Sequence, residues 1–81
     1  MYKILLIETG EYLYHNDINN IYLIYSLYET KKYMGHFTDI FESLDLIHEM
    51  FHSNCNIIWL NETTTVILGK ENLNLFEIIE V

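Results

Sequence analysis

Two rhythms of apolar residues run along this chain, one of period two that predicts strands and one of period three to four that predicts a helix. The helical rhythm lies in DIFESLDLIHEMFHSNC, Asp39 to Cys55, where Ile40, Leu44, Ile47 and Phe51 follow at spacings of four, three and four residues. Side chains at those spacings stack along one side of an α-helix and give it a face to bury. Two N-caps compete for its start. Asp39, with Glu42 three residues later, forms an acidic variant of the capping box, and Ser43 offers a later start. Under either cap the helix covers Leu44 to about Ser53, and Asn54 is suited to leaving it.

The other segments read as strands. Tyr2 to Ile7 is a branched, apolar run, followed by Glu8-Thr9-Gly10-Glu11 and Tyr12 to His15. This pattern predicts a β-hairpin with Gly10 at the turn position that needs positive φ. The unbroken apolar run of Ile4 to Ile7 predicts a central strand, and the more polar second strand is expected nearer an edge. Asn16 to Asn20 reads as a loop and Ile21 to Tyr25 as a third strand. Ser26 and Glu29 then match a capping box for a short second helix over Leu27 to Met34, with Gly35 ending it. Gly35 to Phe41 fits either a connecting strand or the approach to the main helix. Asn56 to Leu60 and Thr64 to Leu68, separated by Asn61-Glu62-Thr63, predict an antiparallel hairpin. Gly69 to Asn72 reads as a turn, and Asn74 to Val81 mixes strand alternation with a fuller apolar run.

These elements predict an α+β fold: an antiparallel sheet of about five strands packed on one main helix, with a short second helix. At 81 residues the chain suits a single compact domain, residues 1–81. A domain this small needs a core dense in large apolar groups, and 51% apolar content with seven Tyr, four Phe and one Trp supplies one and argues against disorder. One cysteine excludes an internal disulfide. With no leader-like segment before the first strand, the expected setting is cytoplasmic and reducing. No apolar run approaches the roughly twenty residues of a membrane span.

Twelve acidic residues against four basic ones give a net charge of −8. That charge repels phosphate backbones and disfavours direct nucleic-acid binding. It suits instead a protein partner with a basic surface, a group that includes many nucleic-acid-binding proteins.

His48-Glu49-Met50-Phe51-His52 matches H-E-x-x-H, in which two His one turn apart hold zinc and the Glu activates the metal-bound water. Cys55, three residues on, extends the stripe to three potential ligands if the helix runs one more turn. Against a peptidase stand the short chain, which leaves no room for a substrate cleft, and the lack of the Gly and His that follow in the extended motif. His48 also abuts the apolar stripe, as an ordinary boundary histidine does. Cys55 has no oxyanion or glycine-elbow signal beside it, and no phosphate-binding loop or paired catalytic carboxylates occur. No cofactor and no enzymatic activity are expected. No metal site is expected either, with His48, His52 and Cys55 as the candidate ligands if there is one.

The aromatic content exceeds what one small core easily holds. Tyr12, Tyr14, Tyr22, Tyr28, Tyr33 and Trp59 are therefore candidates for a partner-binding face, because Tyr and Trp bury much area and keep a polar handle.

The opening YKILLIETGEYLY, the IYLIYSLYETKKYM block and FTDIFESLDLIHEMF, with its Phe41-Glu42-Ser43-Leu44-Asp45 helix start, resemble the small accessory proteins of tailed bacteriophages and other viruses with AT-rich genomes. The likeness covers about half the chain. It implies a compact α+β domain and a role in modulating host machinery or countering host defence, and it carries over no functional residue. The leading expectation is a non-enzymatic, acidic interaction protein, an inhibitor or modulator that occupies a basic surface. The alternatives are a metal-dependent hydrolase using His48, Glu49 and His52, and a homo-oligomer, such as a dimer, that buries the surplus aromatics at a symmetric interface.

Overall fold

In the computed structural model, which describes residues 1–16, 22–24, 36–53, 56–60 and 64–81, the first hairpin forms as the sequence predicts. Strands β1 (Tyr2–Leu6) and β2 (Glu11–Asn16) pair antiparallel, with Leu5 opposite Tyr12. Gly10 sits at φ 72°, where an L side chain is disfavoured, and its N–H donates to the Leu6 carbonyl at 2.9 Å.

The other strands among the described residues are β3 (Tyr22–Ile24), β4 (Phe37–Thr38), β5 (Ile57–Trp59), β6 (Thr65–Ile67) and β7 (Phe76–Glu80). Helix α1 (Leu44–His52) precedes β5, and a 3₁₀ segment (Lys70–Leu75) leads into β7. The α+β class and the single main helix hold. The sheet, however, has seven strands rather than about five, in the order β6-β5-β3-β2-β1-β7 with β4 beside β2. It is also not wholly antiparallel. β3 and β5 run parallel, because the chain between them carries α1 back across the sheet, as a parallel pair requires. The expected short helix at Leu27 to Met34 lies outside the described residues, as does the Asn61–Thr63 turn.

The second strand is not near an edge. β2 lies between β1 and β3, and its polar character reflects a fork on one side. Near Gly10 it pairs with β1, but farther along His15 and Asn16 pair with Thr38 and Phe37 of β4. The chain after β4 fills the fork, with Tyr2 and Phe41 exchanging two backbone hydrogen bonds of 2.8 Å. Asn16, which reads as the first residue of a loop, is the buried last residue of β2.

Pairing register divides the side chains into two faces, since partners in a ladder point the same way. Ile4, Leu6, Leu13, Ile24, Ile58 and Phe76 face α1 and are buried there. The helix contributes Ile47, Met50 and Phe51, and the Phe51 ring meets Phe76 edge-on at 5.6 Å. The predicted stripe is therefore turned. Leu44 is 39% exposed, whereas Met50 is 7% exposed and completes the buried face.

Capping explains the difference. The Ser43 hydroxyl, not Asp39, caps the helix by accepting from the Leu46 N–H at 3.2 Å, so Ile40 stays in extended chain and Leu44 occupies the overhanging first turn. At the other end the Asn56 amide donates to the Met50 carbonyl at 3.0 Å and to Ser53 Oγ at 2.9 Å, tying the last turn to the start of β5.

On the opposite face, Tyr14, Leu23 and Trp59 form one cross-strand row with Leu23 fully buried at its centre. The sheet thus buries apolar side chains on both sides.

Candidate functional site: an acid-rimmed groove beside the helix

Residues 46, 49 and 53 fall at spacings of three and four, which puts them on one side of α1 and its C-terminal cap, and Glu42 precedes the N-cap at the other end. Glu42, Leu46 and Glu49 are exposed, and Leu46 is 55% exposed although it is a large apolar residue in a small protein. Along this side run two grooves of about 410 Å³ each. Both are bordered by His15, Phe41 and Leu46, so they lie side by side and together make up a trough. Glu49, Met50 and Tyr22 line the half near the helix C-terminus, and Glu42, Ile40 and Met1 line the half near its N-terminus.

The floor of the trough is fixed from below. His15, on β2, has its Nε2–H directed at the Ile40 carbonyl at 2.9 Å, which holds the extended chain that carries Phe41. Its ring lies 4.5 Å from the Phe41 ring, tilted by 38°. The fork in the sheet is thus what brings Phe41 beside the helix. The rim is acidic: Glu42 and Glu49 border it and have no ion pair among the described residues, and neither has Asp45, exposed in the first turn of the helix.

An ion pair does form on the other face, between Lys3 Nζ and Asp39 at 3.0 Å. Lys3 also lies over the Tyr12 ring, 4.8 Å from its centroid. The hydrogen bond to Asp39 raises the Lys3 pKa above 10.5; desolvation opposes the rise and charge attraction from Asp39, Tyr12 and Tyr14 adds to it.

The structure separates the residues that the sequence singles out. His48 and His52 are both exposed, one turn apart, with near-parallel rings whose centroids are 6.2 Å apart. Glu49 lines the trough, which neither histidine borders. Cys55 lies outside the described residues, and among those described no three His, Cys, Asp or Glu side chains gather as a metal site. Of the aromatic candidates, Tyr12, Tyr14 and Trp59 lie half-buried on the face away from α1. Tyr22 is turned the other way. Paired with His15 and Ile58, it packs against the core, so it is no part of a common aromatic face. Tyr28 and Tyr33 lie outside the described residues.

Sequence reasoning missed His15, Phe41 and Leu46. The one available signal was Leu46, an apolar residue off the helical stripe and set between two glutamates. No helix among the described residues is long and apolar enough to cross a membrane. No protein-family model matches the chain, and neither a curated protein nor a solved structure is significantly similar to it.

Proposed function

We propose that this protein is a non-enzymatic, acidic interaction module that docks on a basic surface of a protein partner in the cytoplasm. The observation that carries the reading is that Glu42 and Glu49, which border the trough beside exposed Leu46, have no ion pair among the described residues. Carboxylates left without cations beside an apolar patch are what a basic partner with a central apolar contact neutralises and covers. The net charge of −8 supports the same reading by steering such a partner from a distance. The resemblance of the opening strands and the helix start to phage accessory proteins gives it a direction, that of an inhibitor or modulator of a host protein. A partner that itself binds nucleic acid offers the required basic surface.

The test is kinetic. A partner recovered by affinity capture and purified should titrate to a fixed ratio of chains. Raising salt from 50 to 300 mM should slow its association by about tenfold or more while dissociation changes little. Substoichiometric action that grows with time and chemically alters the partner would refute the proposal.

A further inference from the structure

We infer that the trough beside α1 takes an extended segment of the partner in which one apolar residue is flanked, two positions away on each side, by arginines. This rests on the reading above and adds the chemistry of the segment. Leu46 borders both halves and, being exposed, offers the apolar contact; Phe41 borders both as well but is buried in the core. Glu42 borders one half and Glu49 the other, so a negative charge stands on each side of that contact. In an extended chain alternate residues share a face about 7 Å apart. The pattern Arg-x-Leu-x-Arg therefore turns all three side chains toward the trough, with the aliphatic stems of the arginines lying along its apolar wall.

Aromatic rings select arginine over lysine. The rings of His15 and Tyr22, each half-buried with Tyr22 packed in part against the core, border the half that holds Glu49. A planar guanidinium stacks on such rings while pairing with a carboxylate, whereas a compact, strongly hydrated ammonium gains less from both. A second copy of this chain is a poor occupant, since it would bring a net charge of −8 against the same rim.

The probe is the peptide acetyl-Ala-Arg-Ala-Leu-Ala-Arg-Ala-amide, labelled and titrated by fluorescence anisotropy at low salt. Saturable binding is expected, weakened about fivefold or more by E49Q and by E42Q, and by replacing both arginines with lysine. Moving the leucine one position, so that it points away from the arginine face, should weaken binding similarly. E77Q is the control, because Glu77 is exposed on β7, pairs with Leu5 on the far face of the sheet, and carries the same charge. All three substitutions are at exposed positions and leave the fold intact.

Equal weakening by E77Q would show attraction to net charge alone and overturn the trough as the site, leaving the acidic module standing. No peptide binding, with a captured basic protein still bound in a salt-dependent way, would do the same. Self-association in sedimentation that is abolished by L46D would assign the trough to a second copy. Failure of both peptide and basic partner to bind would overturn this inference and the proposed function together.

Discussion

Met50→Ala and Leu44→Ala make a direct test of how α1 sits on the sheet. Both remove a side chain of similar apolar size from the same helix, and both put in the best helix former. Met50 is 7% exposed and Leu44 is 39% exposed. Truncating Met50 leaves a cavity against the sheet and should cost about 2–5 kcal/mol. Its backbone carbonyl remains, so the hydrogen bonds from Asn56 and Ser53 survive and the loss reports packing alone. Leu44 loses partial burial beside solvent that fills the gap, for a cost of about 1 kcal/mol. A domain of this size shifts its melting temperature by about 4–8 °C per kcal/mol, so the two variants should melt well apart. Urea denaturation followed by circular dichroism gives the free energies. Equal losses at the two positions, or a larger loss at Leu44, would mean that the helix presents the face centred on Ile40, Leu44 and Phe51 instead of the one that carries Met50.

The raised pKa of Lys3 means that its contribution to stability is present in full below about pH 10.5 and is lost as pH rises through the folded value. Wild type should therefore lose stability above about pH 10.5 more steeply than Lys3→Met, as read from melting curves at increasing pH; parallel curves would refute the coupling. Gly10→Ala should cost about 1 kcal/mol, because the φ of 72° strains any side chain although nothing lies within 4 Å of the added Cβ. Purified protein should hold no stoichiometric zinc by elemental analysis, and His48→Ala should melt within about 3 °C of wild type with or without chelator; one zinc per chain, lost together with folding in His52→Ala, would revive the metal site.

What the sequence made legible was local. The turn at Gly10, the start of α1 after Ser43 and the pairing of β5 with β6 all follow from residues close together in the chain. The misreadings occur where distant segments decide. The polar content of β2 signalled an edge, but a forked central strand also needs residues such as His15 that bond to the chain filling the fork. β4 has two residues, too few to show a period. Leu44 and Met50 are both apolar and both near the helical stripe, and the choice between them is made by the Ser43 cap and the tie from Asn56 at the two ends of the helix. The trough joins His15, Phe41 and Glu49, three positions from a strand, a connecting segment and a helix, whose proximity no window of sequence contains.

Pairing of β1 with β7 bears on how the chain is made as well as on how it rests. β1 is synthesised well before β7, so one of its two edges stays open until β7 arrives, with Tyr2 meeting Glu80 and Leu6 meeting Phe76. Contacts so far apart in sequence form late and fold slowly. During that interval a nascent chain presents the backbone of β1 beside Ile4 and Leu6, the kind of apolar edge that recruits strands from other molecules. A chain stopped before Phe76 would keep that edge open permanently, so truncation there should yield aggregates rather than a slightly weakened protein.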